Sequence, residues 1–237
     1  MRSRAEGSVL AVAGLAREAR IAAGPGVLPV QAGGRPDRLR ALRAQRPATD
    51  LRAVVSFGIA GGLDPALAPG DVVVAEAVWA ETGVGFERQP ASATLVAGFR
   101  RRLSALGAQG GRLVVADLAG VEAAVMTPEG KAALRARTGA AAVDMETQVA
   151  AAYAAARGLP FAAIRVVCDP AERALPAFAA HALKPNGDPD VGAVLSALAR
   201  REARIGEVVR LARDSGEAFR GLSRARALLG LALGVDA

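Results

Sequence analysis

Short runs made almost wholly of apolar residues recur along this chain, and most end at a glycine or an acid. Val9-Leu10-Ala11-Val12-Ala13 ends at Gly14, Ala53-Val54-Val55-Ser56-Phe57 ends at Gly58, and Phe161 to Val167 runs into Cys168-Asp169. A strand with one wet face alternates apolar and polar residues; a strand that is apolar throughout must be covered on both faces. Asp71 to Val78, Arg112 to Leu118 and Ala140 to Asp144 extend the series. Between the strands, Arg38 to Ala44, Leu95 to Leu106, Pro128 to Arg137 and Glu146 to Arg157 have helical character. The last is alanine-rich and is stopped by Gly158 and Pro160. Alternation of this kind predicts an α/β fold with a mixed, largely parallel sheet flanked by helices. The 237 residues, 52% of them hydrophobic, show no internal repeat and no composition shift, so 1–237 reads as a single domain.

Residues 200–237 differ in character: a helix-forming, arginine-rich tail ending in the apolar Ala225 to Leu233. It reads either as a docking helix that completes the core or a subunit interface, or as a basic amphipathic segment that approaches a membrane surface. Arg100, Arg101 and Arg102 read as a solvated helix face. No apolar stretch approaches the roughly 20 residues needed to span a bilayer. The basic start, Met1-Arg2-Ser3-Arg4, is followed by an apolar run that Arg17, Glu18 and Arg20 interrupt. A signal peptide is therefore not expected, and the expected location is cytoplasmic.

Composition removes several classes of function. The lone cysteine, Cys168, excludes an internal disulfide framework, and a single histidine, His181, argues against a zinc site. The net charge of +7 comes almost entirely from arginine, with Lys131 and Lys184 the only lysines. The arginines are scattered and no aromatic residues interleave with them, so a nucleic-acid partner is not expected. No metal or organic cofactor is implied.

Open α/β sheets build ligand sites beyond the carboxyl ends of their strands. Four regions fall there: Gly14 to Glu18, Gly33 to Arg38, Gly58 to Gly62, and Met145-Glu146 together with Cys168-Asp169. Gly33-Gly34 and the Gly58-Ile59-Ala60-Gly61 segment carry few side chains to keep backbone N–H groups from an anion, which suits a phosphate or a ribose oxygen. Neither fits the Walker or dinucleotide pattern. Glu146 sits just past a strand at a helix start. Its carboxylate suits the paired hydroxyls of a ribose, or equally an acid complementing the helix dipole. Met145 fits the face of a sugar or the core. Asp169 precedes Pro170, which holds it out of helical backbone. A partly desolvated aspartate there could protonate N7 of a departing purine, or serve as a turn residue. Arg165 fits a pairing with a buried acid, and Cys168 a small packing residue.

Taken together, Ser56 to Leu63 with Pro69 to Val74, Val143-Asp144-Met145-Glu146 and Arg165 to Asp169 resemble the purine and uridine phosphorylase superfamily. That superfamily includes the methylthioadenosine/adenosylhomocysteine nucleosidases. Gly14 to Arg20, Ser56 to Leu67, Asp144 to Glu146 and Arg165 to Pro176 are similar, more narrowly, to the hopanoid-associated phosphorylases. The resemblance implies a nucleoside phosphorylase-like fold and removal of adenine from adenosylhopane, a lipid-linked purine nucleoside, by phosphorolysis with inorganic phosphate as co-substrate. It implies Glu146 on the ribose hydroxyls, Met145 along the sugar and Asp169 as general acid. Gly33, Gly34, Gly58, Ile59, Ala60 and Gly61 would shape the phosphate or water side, and Glu18 would orient water. A homo-oligomer is implied, and a peripheral position at the inner membrane face goes with a lipid substrate. Two departures stand out. Ile59 replaces a family Thr or Ser, and 120–127 lacks the aromatic that stacks on the purine, offering Val121, Ala123, Ala124 and Val125. A hydrolytic nucleosidase for methylthioadenosine or adenosylhomocysteine is the nearest alternative, and a non-catalytic nucleoside- or lipid-binding protein the next.

Overall fold

The computed structural model describes residues 7–31, 51–109, 111–176, 200 and 204–235. In chain order these form β1 (Ser8–Ala13), α1 (Ala16–Ala22), β2 (Val27–Gln31), β3 (Leu51–Gly62), β4 (Val72–Thr82) and β5 (Gly85–Pro90). There follow α2 (Ala93–Leu103), a 3-10 turn (Ser104–Gln109), β6 (Leu113–Gly120), α3 (Pro128–Thr138), β7 (Ala142–Asp144) and α4 (Thr147–Ala155). β8 (Phe161–Asp169), α5 (Ile205–Leu229) and a short 3-10 turn (Leu231–Gly234) complete them.

The eight strands form one sheet in the order β2-β1-β3-β7-β6-β4-β5, with β8 bridging β3 and β4. Strands β3, β7, β6, β4 and β8 therefore close into a ring. Neighbours are parallel within β2-β1-β3-β8 and within β4-β6-β7. The two blocks meet antiparallel at β3–β7 and β4–β8, and β5 is an antiparallel hairpin partner of β4. The expected mixed, largely parallel sheet is what forms.

Alternation within the apolar runs explains the layering. Val9, Val55, Phe57, Ile164 and Val166 face a cluster with Phe99 of α2 and Leu222 and Ala225 of α5. Their neighbours Leu10, Val12, Val54, Ala163 and Val167 face the other way, onto Val149, Tyr153 and Ala154 of α4. Every residue of β8 is buried. Two covered faces are why these strands carry no polar alternation.

Several boundaries differ from the sequence reading. Gly58 to Gly62 is not a loop but the second half of the twelve-residue β3. Glycine signals a turn only where nothing else supports extended backbone. Here β8 pairs with β3 from Val54 to Gly61 and carries the strand on. Gly14-Leu15 is a loop, but Ala16 onward is α1, so Glu18 lies in a helical first turn. The expected 95–106 helix ends as α2 at Leu103 and tightens into a 3-10 turn. Arg100 and Arg101 are exposed as a solvated face requires, whereas Arg102 is half-buried. Strands β2 and β5 went unforeseen. Among the described residues β2 pairs only with β1, apart from an isolated bridge between Gly24 and Val27, and β5 is polar (Gly-Phe-Glu-Arg-Gln-Pro). The 38–44 helix expectation lies outside the described residues.

The tail docks. α5 buries Ala218, Phe219, Gly221, Leu222, Ala225 and Leu229, and Ala232 and Leu233 beyond it are buried too. Among the described residues no helix is long and apolar enough to cross a membrane. Helix and sheet side meet closely at Gly221, where a Cβ would stand 2.7 Å from the Gly70 carbonyl oxygen and 2.9 Å from Val166 Cγ1. Backbone cannot swing aside as a side chain does. Gly221→Ala is therefore expected to lower stability by about 1–3 kcal/mol, read from urea denaturation; an unchanged midpoint would show that α5 slides freely on the sheet.

Candidate active site

Arg165 is a charged residue in the middle of a wholly buried strand, and it is 0% exposed. Such a cation needs an opposite charge and a partner for its N–H groups. Its Nε lies 3.2 Å from Asp144 Oδ2 and 3.2 Å from Thr147 Oγ1. Nη2 donates to Ser56 Oγ at 2.6 Å and stands 3.5 Å from Glu146 Oε2, while Nη1 donates to the Ile59 carbonyl at 3.2 Å. The expectation of a buried acid partner holds, and the partners are several. Ser56 and Thr147, which share a 3.0 Å hydrogen bond, were given no role beside Arg165 by the sequence reading.

The two acids of the Asp144-Met145-Glu146 motif divide the work. Asp144 Oδ1 accepts from the backbone N–H of Glu146 at 2.8 Å and of Thr147 at 2.6 Å, so Asp144 is the acid that caps α4. Glu146 makes no capping bond. Its carboxyl instead turns toward Arg165 and the cavity, against Gly14, where a Cβ would lie 2.7 Å from Glu146 Oε1. Burial pushes the Glu146 carboxyl up to about 8; Arg165 opposes the rise, and Asp144 and Glu18 add to it.

Glu18 comes to the same place from α1. Its Oε2 accepts from Gly14 N–H and Leu15 N–H, each at 2.7 Å, and its Oε1 from Ile59 N–H at 2.7 Å. Burial raises its pKa too, with Arg165 opposing. The Ile59 N–H is thus held by a carboxylate of the protein. The glycines of β3 make room for side chains: at Gly58 a Cβ would meet Glu18 Oε1 at 2.5 Å and Arg165 Nη1 at 2.6 Å. At Gly61 it would lie 3.3 Å from Asp169 Oδ2.

Asp169 ends β8 and is 7% exposed. Its Oδ2 accepts from Lys131 Nζ, on α3. Burial raises the Asp169 pKa, and the Lys131 charge opposes the rise. Burial likewise pushes the Cys168 thiol up to about 12, in keeping with a packing residue that contacts Ser215.

All these acids open onto one cavity of about 500 Å³. Glu18, Asp144, Glu146 and Asp169 supply its polar side, with Ile59, Ala60, Gly61 and Met145 beside them. Val121, Ala124 and Val125 form the small aliphatic wall that the sequence offered in place of an aromatic. The opposite wall is α5, through Val208, Leu211, Ala212 and Phe219, with Arg17 placed 4.1 Å over the Phe219 ring. Among the described residues no group of acids, cysteines and histidines could hold a metal. Gly33, Gly34, Arg35 and Arg38 lie outside the described residues. Sequence reasoning passed over Lys131 and Phe219. A lone lysine in an arginine-rich stretch was a readable signal for the first; nothing local marked the second.

Residues 21–209, well over half of the chain, match the family described as the phosphorylase superfamily. No curated protein matches the sequence. Among solved structures, the futalosine hydrolase of Helicobacter pylori superposes with a TM-score of 0.65 at 14% identity, covering 95% of this chain and 99% of that one. A Helicobacter pylori 5′-methylthioadenosine/S-adenosylhomocysteine nucleosidase bound to butyl-thio-DADMe-Immucillin-A gives 0.64 at 14% identity, covering 92% and 97%. A Colwellia psychrerythraea nucleosidase of the same kind, in complex with adenine, gives 0.59 at 19% identity, covering 90% and 96%. At such identities the likeness establishes the fold.

Two tests follow from the geometry. Arg165→Met strips the acids of their shared cation and is expected to cost about 3–5 kcal/mol of stability, measured by chemical denaturation. The acids also link stability to pH. A carboxyl whose pKa is raised on folding binds more protons in the native state than in the unfolded one, so stability falls as pH rises from 4.5 towards about 8. Melting temperature should decline across that window, and Glu146→Gln should flatten the decline without abolishing it, because Glu18 and Asp169 shift the same way. An identical slope in Glu146→Gln would remove Glu146 as a cause.

Proposed function

This chain belongs to the phosphorylase superfamily, and from that footing we propose that it cleaves the N-glycosidic bond of a purine nucleoside and releases adenine. One observation carries the reading: Glu146 and Asp169 open onto one cavity, and Glu146 is not spent on capping α4. Glu146 accepts from the two ribose hydroxyls, which, like Arg165, favour its charged form. Met145 lines the sugar beside it. Asp169 donates a proton to N7 as the glycosidic bond stretches, the electron pair leaves with the base, and the sugar becomes oxocarbenium-like. A nucleophile then attacks the anomeric carbon from the face opposite the base.

Among the described residues the cavity favours water as that nucleophile. Glu18 places a carboxylate there to orient it. The N–H groups of Arg165 are already given to Ser56, Thr147, Ile59 and the acids, leaving little for a phosphate dianion to bind. The solved structures of like fold include a futalosine hydrolase and methylthioadenosine/adenosylhomocysteine nucleosidases. Phosphorolysis is the second reading. It rests on the phosphorylases of the superfamily and on Gly33, Gly34, Arg35 and Arg38 as anion contacts.

The apolar wall of α5 supports a bulky, apolar 5′ substituent, and adenosylhopane is the substrate we propose. Assembly as a homo-oligomer and a peripheral place on the inner face of a membrane accompany that proposal. Ile205 and Val209, exposed on α5 beside Arg204, Arg210 and Arg213, support the membrane contact. Absence of binding to anionic vesicles would remove it.

The deciding assay is adenine release from adenosylhopane by the purified protein, with and without phosphate, beside methylthioadenosine. Release that does not need phosphate supports the hydrolytic reading, phosphate-dependent release supports phosphorolysis, and release from methylthioadenosine alone removes the lipid substrate. Asp169→Asn is expected to lower turnover about 10²–10⁴-fold with the fold intact by circular dichroism; near-normal turnover would take Asp169 out of the mechanism.

A further inference from the structure

Lys131 is the buried cation that the reaction above leaves unused. It lies in the first half of α3, a helix with exposed positions on either side of it, yet it is 1% exposed. An ammonium has three N–H donors, and here all three are taken: by Asp169 Oδ2, by the Pro170 carbonyl at 2.8 Å and by the Arg173 carbonyl at 3.1 Å. Every acceptor belongs to Asp169 or to the four residues after it. The other cations of α3 do different work. Arg135 pairs with Asp64 at 3.0 Å, and Arg137 stacks on Phe86. One lysine has been buried, at the cost of its hydration, to hold one short segment.

The surroundings of Asp169 leave Lys131 as its direct charged partner. From β8 itself, Arg165 is turned to Glu18, Asp144 and Glu146, and Cys168 contacts Ser215. β3 presents Gly61, with no side chain. Arg173, after the strand, acts on Asp169 more weakly than Lys131 and is paired with Asp214 of α5. Burial and the ammonium pull the carboxyl in opposite directions. A carboxyl that is only buried grips its proton too firmly to give it up, and one that is only paired with a cation carries no proton to give. A working acid needs both.

We propose that Lys131 is the positioning residue of the general acid. It pins Oδ2, so that Oδ1 is the oxygen presented to the purine, and its fixed charge stabilises the carboxylate left behind when the proton has gone to N7. In that step the O–H bond of Asp169 breaks and the N7–H bond forms. Lys131 keeps its three protons throughout. The inference rests on Asp169 being the acid.

The test compares Lys131→Gln, which keeps two N–H donors but loses the charge, with Lys131→Met, which loses both and is expected to fold less well. Base release is followed from methylthioadenosine or adenosylhopane and from the N7-methylated form of the same nucleoside, whose base departs without a proton. Lys131→Gln should lower kcat on the unmethylated nucleoside about 10–100-fold, by analogy with the outer partners that orient metal ligands, with KM little changed. The alkaline limb of its kcat profile should move to higher pH, because an acid that has lost a neighbouring cation keeps its proton longer. Turnover of the methylated nucleoside should hold. In an Asp169→Asn background, Lys131→Gln should cost nothing more. Equal losses on both nucleosides with an unmoved alkaline limb would reduce Lys131 to a structural residue and overturn the proposal. Normal release by Asp169→Asn, or no release by the wild-type protein from either nucleoside, would instead overturn the acid reading beneath it.

Discussion

One guanidinium organises this molecule. Arg165 has no exposure to solvent, and its partners come from β3, from the β7–α4 junction and, through the field it exerts, from α1. A cation removed from water is tolerable only when charge and hydrogen bonds replace the water together. Ser56 lies 109 residues from Arg165 and Ile59 lies 106, so only the assembled sheet can supply them. Strand β8 carries the arginine into place because β3 pairs with it over most of its length while β4 holds its other edge. Framework and site are in this sense one construction.

The charge balance around that arginine is deliberate in its excess. Three acids, Glu18, Asp144 and Glu146, share a single cation, and they are not equivalent. Asp144 is committed to the start of α4, and Glu18 is clamped by three backbone N–H groups. Glu146 has less to hold it: one backbone hydrogen bond, at Met145, favours its charged form beside Arg165. The diol of the proposed nucleoside would bring two donors to it. At the other side of the cavity Asp169 faces the opposite ratio, one acid against a dedicated lysine. Two carboxyls in one cavity thereby stand in different electrostatic settings, and on that difference rests the proposed division between binding and proton transfer.

The glycines belong to the same construction. Gly14, Gly58 and Gly61 stand where a Cβ would press on Glu146, on Glu18 with Arg165, and on Asp169. Read in sequence, glycine after a strand suggests a loop cradling an anion. In space these glycines admit the protein's own carboxylates, and β3 runs straight through two of them. The apolar side of the cavity is owed to α5, whose later turns are locked into the core while its earlier ones form a wall.

Much was legible beforehand. Runs such as Val9 to Ala13 and Phe161 to Val167 state that their strands are covered on both faces, since apolarity on alternate sides has no other stable outcome in water. The motifs around Glu146 and Asp169 pointed to two of the four acids that line the cavity, because each lies at the carboxyl end of an apolar strand. The β5 strand escaped notice because it is polar and is defined by its partner, and β2, Val-Leu-Pro-Val-Gln, because Pro29 interrupts its short apolar run. By itself, then, the sequence determined the layered α/β class and the residue types available for chemistry, both being properties of local pattern. Only the tertiary structure decided that Asp144 caps while Glu146 faces the cavity, that Glu18 joins Arg165, and that Lys131 is spent on Asp169. The cap itself is a local contact; the other choices depend on contacts between residues far apart in sequence, and on how burial weighs one charge against another, which no local pattern encodes.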